Sequence, residues 1–129
     1  MNNTALNFMY RDADNYKQDI TIVFSGLITD EQIATIASKM EDGYFIIAEQ
    51  LGLPTPSQLM ADQYDFPSES DHVWTTVTAF EDATPTAASL HTSQPADSPE
   101  FSVETLVSAF ENLAAWDVAK EMDRLGLPA

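Results

Sequence analysis

The sequence predicts a small α+β domain, a mainly antiparallel sheet packed against two or three helices. Three observations carry that prediction. Residues 19–25 (DITIVFS) alternate, with Ile20, Ile22 and Phe24 on one face and Thr21, Val23 and Ser25 on the other, the period of a half-buried strand. Residues 29–32 (TDEQ) form a capping box ahead of an apolar stripe of Ile33, Ile36, Ala37 and Met40 at helical spacing. From Ser102 a second stripe, Val103, Leu106, Val107, Phe110, Leu113 and Ala114, repeats the helical period.

In chain order, Leu6–Tyr10 reads as a short strand and the polar run Arg11–Gln18 as a connection with turn-favouring Asp and Asn. Paired with Asp19–Ser25, it predicts an antiparallel hairpin. Gly26 ends the second strand. A helix over Asp30–Glu41 follows, with Asp30 and Glu31 at the positive end of its dipole and Gly43 as its stop. Tyr44–Ile47 reads as a buried strand. Gly52 and Pro54 break the chain, and Thr55 with Pro56 predicts a helix start running to about Asp65. Residues 67–70 read as a loop. Val73–Phe80, rich in β-branched and aromatic residues, reads as a strand. Glu81–Pro99 holds three prolines and predicts a long Pro/Ser/Thr-rich surface loop.

The stripe that starts at Ser102 fails near its end, because its continuation brings Asp117 and Glu121 into the core. A new stripe of Ala115, Val118, Ala119, Met122 and Leu125 begins instead. Either the helix breaks near Asp117, which then caps a second helix, or its continuation packs on another surface. Gly126 and Pro128 end it. No internal repeat is present, and residues 1–129 read as a single domain.

The apolar fraction of 44%, with seven Phe, four Tyr and two Trp, predicts a packed core in spite of a net charge of -16. No Lys or Arg occurs between Lys39 and Lys120, while fourteen Asp and Glu fall in that interval. A field of one sign repels nucleic acid and anionic membranes and attracts basic surfaces. The absence of Cys excludes disulfides, thiolate zinc sites and a cysteine nucleophile. Met1–Asn7 has neither a basic nor an apolar signal region, so no signal peptide is expected and the cytoplasm is the expected location. No stretch approaches the ~20 apolar residues of a membrane span.

Motifs for chemistry are few. His72 and His91, with Asp71, Asp82 and Asp97, invite a metal reading, which needs about three or four converging ligands. Two surface histidines in polar loops are the plainer expectation, and a small metal-dependent hydrolase using His72 and nearby carboxylates is an alternative. Asp62, Asp65, Glu69 and Asp71 cluster without the central Gly and terminal Glu of an EF-hand and read as a solvated acidic loop. GxSxG, Walker and GxGxxG patterns are absent, and there are four Gly in all. No cofactor and no catalytic residue is expected.

Five segments carry a resemblance: Tyr10–Lys17 (YRDADNYK), Phe24–Gly26 (FSG), Gly43–Ile46 (GYFI), Gln50–Pro54 (QLGLP) and Asp71–Trp74 (DHVW). On these, residues 6–80 resemble a family of small uncharacterised bacterial proteins. YRDxxNYK is its specific string. The resemblance implies that Tyr10, Arg11, Asp12, Asn15, Tyr16 and Lys17 form a structured unit between the first two strands, a hydrogen-bonded connection in which Arg11 pairs with Asp12 or Asp14. It implies no activity and no catalytic residues.

Three readings of the acidity remain: a solvated surface that maintains solubility, a salt-adapted domain without a nucleic-acid-related partner, and mimicry of a nucleic-acid backbone. Duplex DNA presents one charge per ~1.7 Å of axis. Glu100, Glu104 and Glu111 lie nearly in line if one helix covers them. The leading expectation is a non-enzymatic interaction protein that occupies a basic, nucleic-acid-binding surface of a partner, such as a nuclease or nucleic-acid-binding complex. That is a DNA-mimic inhibitor of the anti-restriction or anti-CRISPR kind, binding neither nucleic acid nor membrane itself. The residues expected to bind form two groups. One is Asp62, Asp65, Glu69 and Asp71; the other is Asp97, Glu100, Glu104 and Glu111.

Overall fold

The computed structural model describes residues 2–11, 17–54 and 73–125. Strand β1 (Asn3–Arg11) pairs antiparallel with β2 (Lys17–Ser25) along its whole length, from Asn3 opposite Ser25 to Arg11 opposite Lys17. Both strands outrun the expected bounds, because hairpin pairing recruits the polar residues beyond the apolar runs. Asp12–Tyr16, central to the expected structured unit, lie outside the described residues. Along β1 the even positions Thr4, Leu6, Phe8 and Tyr10 are buried and the odd ones only partly so, the alternation of a sheet with one core face.

Helix α1 (Asp30–Lys39) starts on the expected capping box: Thr29 Oγ1 accepts from the Gln32 amide and Gln32 Oε1 accepts from the Thr29 amide. It stops two residues earlier than expected. Met40 turns into extended backbone and buries its side chain, and left-handed Asp42 (φ 54°) and Gly43 (φ 83°) carry the reversal. Glu41 then exchanges backbone hydrogen bonds with Phe45, and so covers the outer edge of β3 (Phe45–Ile46).

β4 (Thr75–Val77) is shorter than the expected strand Val73–Phe80 and continues as a 3-10 turn, Thr78–Phe80. Val77 and Phe80 both enter the core. A pleat places residues three apart on opposite faces, whereas a 3-10 turn eclipses them. The sheet order is β2-β1-β4-β3, and β5 (His91–Thr92) pairs with the other end of β1 beside β4. All these pairings are antiparallel.

The expected surface loop Glu81–Pro99 is exposed over most of its length, but it contains two short elements, α2 (Ala87–Leu90) and β5, and is anchored at a few points. Ala87 and Leu90 are buried, Asp30 Oδ1 accepts from the Ala87 amide at 2.8 Å, and His91 Nε2 lies 2.9 Å from the Ile28 carbonyl oxygen. These are long-range contacts, invisible to a local composition reading.

Helix α3 (Val103–Glu111) is capped by Ser102, whose hydroxyl accepts from the Thr105 amide. It packs with α1 on the core face of the sheet. Ile33, Ile36, Leu106 and Phe110 meet Leu6, Phe8, Ile22 and Phe24 there. Each such side chain contributes ~1.5–3 kcal/mol on burial. The chain then breaks, and Asp117 Oδ1 accepts from the Lys120 amide to cap α4 (Val118–Leu125). Of the two alternatives at Asp117, the break is the one realised.

The expected face of α4 is overturned. Ala115, Val118 and Ala119 are exposed, whereas Glu121 is 3% exposed. Glu121 tolerates burial because Arg124 gives it two hydrogen bonds, Nε to Oε1 at 2.6 Å and Nη2 to Oε2 at 2.8 Å. A paired, hydrogen-bonded carboxylate escapes most of the desolvation penalty. Met122 instead joins Trp74 and Trp116 around Ile47 and Val73, a small second core. The helix expected over 56–65 lies outside the described residues. Among those described, no helix is long and apolar enough to cross a membrane.

Candidate acidic cleft and its surroundings

The four acids of the expected second group part company. Asp97 sits against the edge of the sheet. Its amide donates to the Val23 carbonyl at 3.0 Å, and its Oδ2 accepts from the Val23 amide at 2.6 Å. Ser25 N donates to the Phe101 carbonyl at 2.9 Å. The segment from Asp97 to Ser102 thus covers the upper edge of β2, which otherwise presents unpaired backbone groups. Asp97 is a structural residue of this edge.

Glu100 precedes α3, so it is not in one helical row with Glu104 and Glu111, as the single-helix reading had it. Glu104 and Glu111 are both exposed on α3 and two turns apart, ~10 Å along the axis. Glu104 lies in the first turn, where the helix dipole favours a negative charge. Glu111 lies in the last turn, where the dipole opposes it, and no basic residue accompanies it there. Asp62, Asp65, Glu69 and Asp71, with His72, lie outside the described residues. His91 is engaged with the Ile28 carbonyl. Among the described residues no group of three or more His, Asp or Glu gathers as a metal site.

Glu100 instead shares a cleft with Glu49, an acid that the sequence does not single out. A cleft of about 590 Å³ runs between the 3-10 turn Ala48–Leu51 and the start of α3. Glu49 comes from one wall and Glu100 from the other, both exposed. Between them lie Leu51, Leu53 and Leu106, all buried, with Phe24 beneath and half-buried Phe101 alongside. Phe24 and Phe101 meet edge to face at 5.9 Å. Among the described residues lining the cleft there is no Lys, Arg or His. The sequence offered no sign of it, since Glu49 and Glu100 are fifty-one positions apart and converge only through packing.

Glu49 also lines a second cleft, of about 470 Å³, formed with Gln50, Leu113, Asp117, Lys120, Glu121 and Arg124. Hydrogen bonding to Glu121 holds the Arg124 guanidinium above its ordinary pKa. Burial works against that rise, and the charges of Glu121 and then Glu49 add to it. Lys39 Nζ donates to the Leu113 carbonyl at 3.0 Å, and Trp116 Nε1 donates to the Lys39 carbonyl at 2.9 Å, tying α1 to the α3–α4 connection. Lys39 and Arg124 are thus both held within the fold.

No known protein family, curated protein or solved structure matches this chain.

Proposed function

We propose that this chain is a non-enzymatic acidic interaction protein that occupies a basic, nucleic-acid-binding surface of a partner, as a DNA-mimic inhibitor of the anti-restriction or anti-CRISPR kind. One observation carries the reading: the charge imbalance that remains after internal pairing. Arg124 is committed to Glu121 and Lys39 to a backbone carbonyl. Glu49, Glu100, Glu104 and Glu111 are exposed, and among the described residues none of their carboxylates has a hydrogen-bond or ion-pair partner. The chain carries a net charge of -16, and these four carboxylates present part of it to solvent. Such a surface attracts proteins that evolved to hold phosphates.

A panel of purified restriction and CRISPR nucleases, titrated against the immobilised chain, tests the reading. At least one member is expected to bind, with affinity falling about tenfold or more between ~50 and 200 mM salt, since many charge contacts are screened together. Binding that is indifferent to salt, or no binding across the panel at the lower salt, contradicts it.

A further inference from the structure

We infer that the cleft between Ala48–Leu51 and the start of α3 is the docking point for one arginine side chain of a basic partner protein. The inference rests on the reading above and narrows it from a charged face to a single seat. The cleft has the two parts that an arginine needs. Leu51, Leu53, Phe101 and Leu106 give apolar surface for the methylene stem, and Glu49 and Glu100 bring a carboxylate from each wall to the guanidinium. Arginine buries its stem on apolar surface while its planar head takes carboxylates in a fixed fork. A phosphate or an acidic peptide is excluded by the same two charges, and a neutral apolar ligand leaves them without a counter-charge. No Lys or Arg is among the described residues lining this cleft, although Glu49 also faces Lys120 and Arg124 in the second cleft. Lys39 and Arg124 are engaged elsewhere, and residues 55–72, which follow the cleft residue Pro54, contain no Lys or Arg.

The test uses two small probes, N-acetyl-leucyl-arginine amide and its neutral counterpart with citrulline in place of arginine. Amide NMR shifts of the full chain are followed during each titration at ~50 mM salt, where surface charges act at full range. The arginine probe is expected to move the amides of Leu51, Gly52, Phe101 and Ser102, and to bind about tenfold more tightly than the citrulline probe. The double variant Glu49→Gln, Glu100→Gln is expected to lose about tenfold in affinity, while Asp82→Asn, Asp123→Asn, at exposed positions outside the cleft, is expected to keep wild-type binding. Equal binding of the two probes, equal effects of the two double variants, or no shift at the cleft overturns the inference.

Its failure is separable from that of the broader reading. Nucleases that bind wild type and Glu49→Gln, Glu100→Gln equally remove the cleft and leave the acidic surface in place. An arginine probe seated in the cleft of a chain that no nuclease binds removes the nuclease reading alone.

Discussion

Gln50 and Asp117, sixty-seven residues apart, exchange two hydrogen bonds: Gln50 Nε2 donates to the Asp117 carbonyl at 2.8 Å, and the Asp117 amide donates to Gln50 Oε1 at 3.0 Å. The side-chain amide pairs with the backbone as a neighbouring strand does. It fixes the α3–α4 connection to the turn that carries Glu49, so one residue sets both the cap of α4 and the wall shared by the two clefts.

Gln50→Ala is therefore expected to cost ~1–2 kcal/mol for two partly solvated hydrogen bonds, with faster hydrogen exchange concentrated in Val118–Leu125. Denaturant unfolding and exchange mass spectrometry read the two effects. Uniform loss of protection, with none favouring α4, counts against the clamp.

Asp97→Ala is expected to destabilise by ~1–2 kcal/mol, because the Val23 amide at the edge of the sheet loses its acceptor. Asp97→Asn keeps an oxygen there and is expected to recover most of that stability. The pair separates a structural carboxylate from a partner-binding one: nuclease affinity should be the same for wild type and Asp97→Asn. A marked loss of affinity in Asp97→Asn returns this residue to the binding surface.

Glu121→Gln leaves the Arg124 guanidinium without its carboxylate and is expected to cost ~1–3 kcal/mol, in the range of hydrogen bonds to charged groups. The sign of the pH effect follows from the direction of the shift. Arg124 is raised in the folded state, so its contribution is fully present below the ordinary guanidinium value and is lost only as pH rises through the higher folded one. The guanidinium therefore adds no pH dependence between neutrality and pH ~10. Stability curves for wild type and Arg124→Met that diverge within that window contradict this.

Glu111→Gln is expected to stabilise the fold by ~0.3–1 kcal/mol, since it removes a negative charge from the negative end of α3. A thermal midpoint that falls in the variant removes the conflict between charge and dipole. A stabilised variant that binds a nuclease more weakly identifies Glu111 as an acid retained for binding.

Much of the fold was legible because it is written in local patterns. The alternation of Ile20, Ile22 and Phe24, the box of Thr29 and Gln32, and the stripe from Val103 to Phe110 each became the expected element, within an α+β antiparallel architecture. What local reading lost was whatever distant partners decide. Ala87 and Leu90 sit in a Pro/Ser/Thr-rich segment and form a helix because Asp30 and the core receive them. Glu121 is buried because Arg124 stands one turn away with two donors. The cleft was illegible for the same reason. Glu100 lies before α3, outside the helical row of Glu104 and Glu111, and shares the cleft with Glu49 through packing alone.

Competition with DNA distinguishes a chain that occupies the nucleic-acid-binding surface of a nuclease from one that binds elsewhere on it or not at all. A labelled duplex bound to each nuclease of the panel is followed by fluorescence anisotropy as the chain is added at ~100 mM salt. The wild-type chain is expected to displace the duplex from at least one nuclease, and the variant carrying Glu49→Gln, Glu100→Gln, Glu104→Gln and Glu111→Gln to displace little. Duplex that stays bound to every nuclease at saturating chain, or equal displacement by the quadruple variant, contradicts it.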